Sequence, residues 1–319
     1  MRLLIAEDDC VSRRVLEKLL TNWGHEVVLA CDGNQAWEIL QGDNPPTMAV
    51  LDWMMPGMDG VEVCRKVRRS QRQIRPYLIL LTGRAHKHDL VKGMSAGADD
   101  YVAKPFDPEE LRVRINAGKR IIDLQIESLT AMDSLRKQAT HDQLTGLRNK
   151  AAIQNALQRE CAIACRSGQV VSVVMVDLDS FKQINDICGH PAGDVVLAEV
   201  AKRMALTMRS YEDIGRYGGD EFLVVLTGCD LVGAGAMAER LRIAVADQPV
   251  EVCGARLPVT VSLGVACSVH LPDLTQDLLL KTADTAMYDA KRSGRNQVRL
   301  AEDGDGLILS VAGSGEMMA

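Results

Sequence analysis

A buried strand and the turn after it are predicted by the stretch Met48-Ala-Val-Leu-Asp52-Trp-Met-Met-Pro-Gly-Met-Asp-Gly60. Its apolar run Met48–Leu51 stops at an acid, and Pro56-Gly57 supplies residue types that turns require. A short apolar run bounded by turn signals indicates a strand buried on both faces, as in a parallel sheet. Functional side chains of such sheets lie just beyond the carboxyl ends of the strands, which is where Asp52 falls.

The same pattern repeats on both sides of this stretch. Short apolar runs alternate with amphipathic segments of helical period, such as Ser12–Trp23 and Val61–Arg69. The apolar runs are Leu3–Ala6, Val27–Ala30, Met48–Leu51, Leu78–Leu81 and Tyr101–Val102. Five units of strand followed by helix predict an α/β domain with a five-stranded parallel sheet and helices on both faces.

Polar side chains end four of these predicted strands. Glu7-Asp8-Asp9 follows the first strand, Asp52 the third, Thr82 the fourth and Lys104-Pro105 the fifth. Because the carboxyl ends of parallel strands meet at one edge, we expect these groups to converge there. Crowded carboxylates repel one another unless a cation joins them, and oxygen-only ligation favours Mg2+. For Asp9 alone we expect a solvated loop residue or a helix cap.

These residues resemble the receiver domains of bacterial response regulators. The stretch Asp52–Gly60 is similar to that family's D-x-x-M-P-x-M-D-G segment, and the resemblance extends over residues 1–106. It implies a flavodoxin-like fold, Mg2+ or Mn2+ as cofactor, a cognate sensor histidine kinase as partner and a cis Lys104-Pro105 peptide. The implied roles are phosphoacceptor for Asp52, metal ligands for Glu7, Asp8 and Asp52, and a switch formed by Thr82, Tyr101 and Lys104.

A long helix is predicted after Pro108, because residues 109–141 hold no proline and keep a helical period. Ile115, Ile122 and Leu129 recur at every seventh position, which favours a short coiled coil in a dimer, although Gly118 and Gln125 interrupt the pattern. We therefore expect a receiver domain over 1–120, a connecting helix over 121–140 and a second domain over 141–300. The tail 301–319, with its Gly, Ser and acidic residues, is expected to be disordered.

The second domain has a different order of predicted elements and a mainly antiparallel sheet. Its elements are a helix over 150–166, a strand over 170–176, helices up to Met208, a hairpin at Gly218-Gly219, a helix over 231–246, strands near 250–253 and 256–267, and a helix over 275–292. Helices and strands that do not alternate regularly are typical of an α+β domain.

Acids surround the predicted hairpin. Asp177 ends a buried strand, and Gly218-Gly219 is followed directly by Asp220 and Glu221. Glycine tolerates positive φ and allows a ligand to approach the backbone, so glycines beside acids suit a nucleotide and its metal. Asp177 with Asp220 or Glu221 could share two Mg2+ ions, which activate an attacking hydroxyl and neutralise a pyrophosphate leaving group. Taken alone, such a turn can also be a simple hairpin.

Four motifs make residues 140–300 resemble the GGDEF family of cyclases. They are Asp142-Gln-Leu-Thr-Gly-Leu-Arg-Asn149 (with Lys150 where Arg is more usual), Asp177-Leu-Asp-Ser-Phe-Lys-Gln-Ile-Asn-Asp186 with Gly189-His-Pro-Ala-Gly-Asp194, the signature Gly218-Gly-Asp-Glu-Phe222, and Ala283-Asp-Thr-Ala-Met-Tyr-Asp-Ala-Lys291-Arg-Ser-Gly-Arg295-Asn296. The resemblance implies a nucleotidyl-cyclase-like fold and a diguanylate cyclase that joins two GTP into cyclic di-GMP and pyrophosphate. Each site would hold one nucleotide, so a homodimer is implied.

The resemblance also implies roles for single residues. Asp177, Asp220 and Glu221 would be catalytic, and the ligands of Mg2+ or Mn2+ would be Asp177, the Leu178 carbonyl and Asp220. The implied GTP contacts are Phe181, Lys182, Asn185, Asp194, Gly219, Lys291 and Arg295, with guanine read by Asn185 and Asp194. Lys291 and Arg295 can alternatively be bases that compensate a helix dipole. The family's inhibitory R-x-x-D site is altered here to Arg209-Ser-Tyr-Glu212, with Arg240 as its second arginine.

Composition bounds the remaining functions. Hydrophobic residues make up 47% and charged residues 25%, and the net charge of -6 argues against a protein that coats nucleic acid. The nine cysteines contain no C-x-x-C, as expected in a reducing compartment, and no apolar run approaches the ~20 residues of a spanning helix. We therefore expect a cytoplasmic protein without membrane insertion. The alternative functions are a catalytically silent GTP- or cyclic-dinucleotide-binding module and a receiver that acts only as an adaptor.

Overall fold

The computed structural model describes residues 1–70, 72–83, 87–209, 212–252, 254–271 and 274–301, without the side chains of 87–90. Apart from Ala301, the predicted disordered tail 301–319 lies outside the described residues. The chain divides into two compact units between Asp133 and Ser134. None of the described helices is long and apolar enough to cross a membrane.

The first unit alternates strands and helices. In chain order they are β1 Arg2–Ala6, α1 Cys10–Asn22, β2 Glu26–Ala30, α2 Gly33–Gln41, β3 Met48–Asp52, α3 Gly60–Arg69, β4 Tyr77–Thr82, α4 Lys87–Ser95, β5 Asp100–Ala103 and α5 Pro108–Thr140. The strands form one sheet in the order β2-β1-β3-β4-β5, and every neighbouring pair is parallel. The predicted five-stranded parallel sheet is therefore confirmed.

Both faces of this sheet are buried. Successive side chains of a strand point to opposite faces, so Leu4 packs in one apolar cluster while Leu3 and Ile5 pack in another. Each fully buried aliphatic side chain of this kind contributes ~1.5–3 kcal/mol relative to an exposed one. The apolar runs that predicted the strands are thus the residues that hold the helices to the sheet.

Helix α5 is one uninterrupted helix of 33 residues, as predicted. Its first half buries Leu111, Ile115 and Ile122 against the sheet. Gly118 belongs to this buried face, because a Cβ there would lie 2.4 Å from Cδ1 of Tyr77. Further along, Leu124 and Leu135 are 56% and 64% exposed. The coiled coil that this apolar surface suggests remains a prediction.

The second unit has two sheets. Its elements are α6 Lys150–Ser167, β6 Val171–Leu178, α7 Phe181–Cys188, α8 His190–Thr207, β7 Asp213–Gly218, β8 Glu221–Thr227, α9 Leu231–Ala246, β9 Val250–Val252, β10 Ala255–Leu257, β11 Val261–Cys267, α10 Gln276–Arg292 and β12 Val298–Leu300. The main sheet has the order β12-β11-β6-β8-β7, and only β11 and β12 pair in parallel. The mainly antiparallel sheet is confirmed.

Two details differ from the sequence prediction. The single strand expected over 256–267 is wrong, because β10 and β11 are separate strands in different sheets, with Pro258 between them. Proline has no N–H to donate to a sheet ladder, which explains the break. Strand β12 was not predicted, since three residues are too few to show a period.

Candidate active site and acidic pocket

Three carboxylates of the first unit meet where β1 and β3 end. These strands are neighbours in the sheet, so the residues after β1 lie beside Asp52 at the end of β3. Glu7 and Asp52 are buried, Asp8 is exposed, and one oxygen of each lies within 4.8 Å of the others. Three oxygens at this separation fit a Mg2+ ion, which binds through carboxylates and keeps several waters.

Lys104 enters the same pocket from the end of β5. Its Nζ lies 2.6 Å from Oε2 of Glu7 and 3.1 Å from Oδ2 of Asp52. Burial acts to lower the pKa of Lys104, but hydrogen bonds to Glu7 and Asp52 outweigh it and raise that pKa. Burial raises the pKa of Glu7 against the opposing bond from Lys104. The ammonium group therefore balances part of the charge that the carboxylates concentrate here.

The other predicted residues of this pocket lie on the expected strands. Thr82 is fully buried at the end of β4, and Tyr101 is half-buried on β5. The Lys104-Pro105 peptide is cis, as predicted. Asp9 is the N-cap of α1, where its carboxylate accepts a 2.8 Å bond from the Ser12 N–H. Of the two roles expected for Asp9, a solvated loop residue or a helix cap, the structure shows the cap.

In the second unit, the signature turn lies opposite the end of β6. Asp177 on β6 is the direct antiparallel partner of Glu221 on β8. The turn residues Gly219 and Asp220 connect β7 to β8, and Gly219 has a φ of +54°, in the left-handed region that favours glycine. The Leu178 N–H donates to the Asp220 carbonyl over 3.3 Å, which fixes the turn against β6. The predicted hairpin thus brings the three acids together.

Asp177 is buried and paired with Lys291 from the last turn of α10. Lys291 Nζ lies 2.7 Å from Oδ2 of Asp177. Burial raises the pKa of Asp177 to about 6, against the lowering effect of Lys291, while Asp220 and Glu221 raise it further. Mutual repulsion of this kind would be relieved by a divalent cation, which is the ion that the sequence predicts here.

A cavity of 350 Å3 adjoins these acids. It is lined by Glu221 from β8 and by Asp284, Tyr288 and Lys291 from α10. Burial raises the pKa of Glu221, and the negative charge of Asp284 adds to that rise. An anionic ligand beside so many carboxylates needs cations, and Lys291 supplies one.

The residues predicted to read guanine lie on α7 and α8. A Cβ at Gly193 would lie 2.0 Å from Oδ1 of Asn185 and 3.1 Å from Cζ of Phe181. The glycine therefore lets α7 approach the first turn of α8, and Asp194 is the next residue along the chain. Lys182 and Asp194 are exposed, as groups that meet a ligand from solvent must be.

Arg295 lies in the turn after α10, three residues beyond its end. It has a φ of +61°, which places it in the left-handed region. Lys291 and Arg295 therefore both belong to the carboxyl-terminal end of this helix. The alternative role of compensating the helix dipole does not explain why Lys291 bonds Asp177 directly.

Sequence reasoning gave no role to two groups of residues around the site. Asp179, two positions after Asp177, is buried and accepts bonds from Thr260 and Ser262. Arg216 bonds Asp142 over 3.2 Å and the Gly219 carbonyl over 2.9 Å, so it ties the turn to the motif that opens the domain. The alternation along β6 could have indicated Asp179, since residues i and i+2 share a face.

The altered inhibitory motif has its own local structure. The Glu212 carboxylate accepts a 2.7 Å bond from the backbone N–H of Arg209. Arg240 lies on α9, where its Nη2 contacts Sδ of Met237 at 3.0 Å. Ser210 and Tyr211, which lie between Arg209 and Glu212, are outside the described part of the chain.

Comparisons with known proteins agree with both sets of motifs. Residues 3–116 match the response regulator receiver domain, and residues 139–297 match the GGDEF domain of diguanylate cyclases. The response regulator PleD of Caulobacter vibrioides is 32% identical over 308 residues, which cover 93% of this chain. The chain spans 65% of the length of that relative.

Two solved structures share the second unit. Diguanylate cyclase SiaD from Pseudomonas aeruginosa, solved with its activator SiaC, is 38% identical, with a TM-score of 0.50, and the match covers 60% of this chain and 74% of that one. The coiled coil and GGDEF domain of DgcB from Caulobacter crescentus, solved with c-di-GMP, is 29% identical, with a TM-score of 0.53, and the match covers 60% and 99%. The chain therefore belongs to the GGDEF family of diguanylate cyclases, with a response regulator receiver domain preceding the GGDEF domain.

Proposed function

We propose that this chain joins two GTP molecules into cyclic di-GMP, with release of pyrophosphate, and that phosphorylation of Asp52 controls the rate. The observation that carries the proposal is the convergence of Asp177, Asp220 and Glu221 at the β6 end, with Lys291 bonded to Asp177. A site that only binds a nucleotide has no need for a buried acid with two half-buried acids beside it, because a buried charge that neighbouring charges of the same sign oppose is costly.

Different residues of the site would bind the metal and the triphosphate. Asp177, the Leu178 carbonyl and Asp220 would hold a divalent cation, which supplies charge neutralisation at the α-phosphate and a lowered pKa for the attacking 3′-hydroxyl. Lys182, Lys291 and Arg295 bind the triphosphate by charge-assisted hydrogen bonds. Glu221, as the cross-strand partner of Asp177, contacts the metal or the ribose.

Base choice follows from Asn185 and Asp194. A carboxylate accepts from the ring N–H and the exocyclic amine of guanine, whereas adenine lacks that pair of donors. Adenine would leave the carboxylate unpaired in the pocket at a cost of ~1–3 kcal/mol. The proposed substrate is therefore GTP at both positions of the product.

Control would come from the receiver domain. Phosphorylation replaces the single negative charge of the Asp52 carboxylate with the roughly two negative charges of an acyl phosphate, next to the Lys104 ammonium and the buried Thr82 hydroxyl. One site holds one nucleotide, so two copies of the chain must face each other for ring closure. We propose that the phosphorylated receiver favours a productive homodimer, with a cognate sensor histidine kinase as the phosphoryl source.

The test is a product assay with the purified chain, Mg2+ and GTP, with and without an equimolar amount of ATP. We expect cyclic di-GMP and pyrophosphate, and no appreciable mixed GMP–AMP dinucleotide. Tight GTP binding without pyrophosphate release would instead support the silent binding module. Substantial mixed product would contradict the assignment of Asp194.

A further inference from the structure

Asp179 is a buried carboxylate to which the proposed reaction gives no role. It follows β6 directly and is 8% exposed. Thr260 Oγ1 donates to its Oδ2 over 2.7 Å, and Ser262 Oγ donates to its Oδ1 over 2.7 Å. The backbone N–H of Asn296 donates to Oδ2 over 3.0 Å. One side chain therefore joins the end of β6 to the start of β11 and to the turn after α10.

That turn has an unfavourable backbone conformation. Gly294, Arg295 and Asn296 follow one another with φ values of +113°, +61° and +46°. Two consecutive residues with side chains in the left-handed region cost free energy, so neighbouring contacts must hold them there. The bond from Asn296 to Asp179 is such a contact, and Arg242 Nη1 adds a 2.8 Å bond to Oδ1 of Asn296.

The two acids at the end of β6 thus hold the same end of α10. Asp177 bonds the Lys291 side chain, and Asp179 bonds the backbone immediately after Arg295. Asp177 thus contacts the last turn of α10, and Asp179 contacts the turn that follows this helix. Lys291 and Arg295 are the cations proposed to bind the triphosphate, and Asp177 is a proposed metal ligand.

We propose that Asp179 is a positioning residue that sets the Arg295 turn, and with it the triphosphate-binding cations, in register with the metal-binding end of β6. This role of Asp179 rests on the proposed function, because it assumes that Arg295 binds the phosphates of GTP. Asp179 itself does not touch the nucleotide. Its carboxylate stabilises the left-handed turn from which Arg295 extends.

The test compares the binding of GTP and of GMP to the full chain by calorimetry in the presence of Mg2+, using the 3′-deoxy forms of both nucleotides, which lack the attacking hydroxyl and are not converted during the titration. Asp179→Ala is expected to weaken GTP binding about tenfold and to change GMP binding less than about twofold, a difference of ~1.4 kcal/mol between the ligands. A merely structural role would weaken the binding of both ligands together, whereas a fall in thermal stability is expected in either case, because the variant leaves the Thr260 and Ser262 hydroxyls without their acceptor. In an Arg295→Ala background, Asp179→Ala should have no further effect on GTP affinity.

Two further variants sharpen this test. Asp179→Asn keeps an oxygen for the Asn296 N–H without the charge, so an intermediate loss of about threefold is expected, and it replaces the alanine variant in the cycle if that variant does not fold. Ser262→Ala removes a donor on the other carboxylate oxygen and should leave the ratio of GTP to GMP affinity unchanged. Equal losses for both ligands, or additivity with Arg295→Ala, would overturn the proposal. If the native chain binds no GTP at all, the proposed function fails first, and the two failures are distinguishable.

Discussion

The acidic pocket at Asp52 and the acidic site at Asp177 use the same groups in different sheets. Each has a buried aspartate at the end of a strand, further acids beside it, and a lysine within 3.1 Å. In the parallel sheet the groups come from strands β1, β3, β4 and β5, since all of their carboxyl ends lie at one edge. In the antiparallel sheet, Asp177 instead meets the turn of a hairpin that lies across from it.

This difference bears on what each site can do. In the receiver, Lys104 bonds both Glu7 and Asp52, so the pocket keeps a half-buried cation next to the proposed phosphoacceptor. In the GGDEF domain Lys291 bonds Asp177, while Asp220, Glu221 and Asp284 add opposing charge. The first site is suited to accept one phosphoryl group. The second adjoins a cavity of 350 Å3 lined by Glu221, Asp284 and Lys291, and it has more negative charge for cations to neutralise.

The largest expected effect is the loss of the cyclase reaction in Asp220→Ala. Removing a metal-binding carboxylate should lower the rate of cyclic di-GMP formation at least about a thousandfold, or ~4 kcal/mol of transition-state stabilisation. Product formation is measured by chromatography, and phosphorylation of Asp52 by acetyl phosphate serves as the control for an intact receiver. Near-normal turnover in this variant would show that the metal assignment is wrong.

The next largest effects are expected from replacing the lysine of each acidic site, which should affect the two sites differently. Lys291→Met should lower kcat/KM for GTP about thirtyfold, because a charge-assisted bond in such a site is worth ~1.5–3 kcal/mol. The matched variant Lys104→Met should leave the basal cyclase rate within about twofold of native and abolish the response to beryllofluoride. Steady-state kinetics with and without beryllofluoride measure kcat/KM and the response of the receiver. A basal rate that falls equally in the two variants would contradict the assignment of Lys291 to the cyclase site and of Lys104 to the receiver.

The sequence predicted the residues of both acidic sites because each lies at the end of an element with a local signal. Apolar runs located β1, β3 and β6, and Gly218-Gly219 located the hairpin. Asp9 was expected to be either a solvated loop residue or a helix cap, and it is a cap. These expectations depend only on neighbours along the chain, which short-range periodicity records.

What the sequence did not predict depends on contacts between distant residues. Asp179 bonds Thr260 and Asn296, which are 81 and 117 positions away, and Arg216 bonds Asp142 at a separation of 74. No local period indicates such pairs. Gly118 looked like a defect in the coiled-coil pattern until the approach of Tyr77 gave it a packing role.

A smaller effect is expected from the receiver. Beryllofluoride, as a mimic of the phosphoryl group on Asp52, should raise the cyclase rate about tenfold, which corresponds to ~1.4 kcal/mol in favour of the productive dimer. Asp52→Asn should keep the basal rate and show no response. Activity and sedimentation are measured on the same samples. An unchanged rate and dimer fraction in the native chain would exclude this control, whereas a higher rate at constant dimer fraction would indicate realignment within a dimer.

The smallest expected effect concerns stability, and it distinguishes the Asp177 site by its response to pH. In metal-free buffer the pKa of Asp177 is raised to about 6 by burial, against ~3.9 in the unfolded chain. The folded state therefore binds more protons than the unfolded state between these values, so this group's contribution to stability is lost as pH rises from about 4 to about 6. Asp177→Asn carries no such charge. Its unfolding temperature should equal or fall below that of the native chain near pH 4, and should rise relative to the native value by a few degrees above pH 6.

Mg2+ should reverse the difference in unfolding temperature between the native chain and Asp177→Asn above pH 6. A cation bound at Asp177 favours the ionised carboxylate in the native chain and has no such ligand in the variant. Thermal unfolding of both proteins from pH 4 to pH 8, with EDTA or with Mg2+, measures the effect. Glu7, Asp8 and Asp52 are common to both proteins, so their response cancels in the comparison. If the unfolding temperatures of the two proteins differ by the same amount at every pH, the pKa of Asp177 is not raised in the folded state. The contrast between the two acidic sites would then rest on the geometry of the sheets alone.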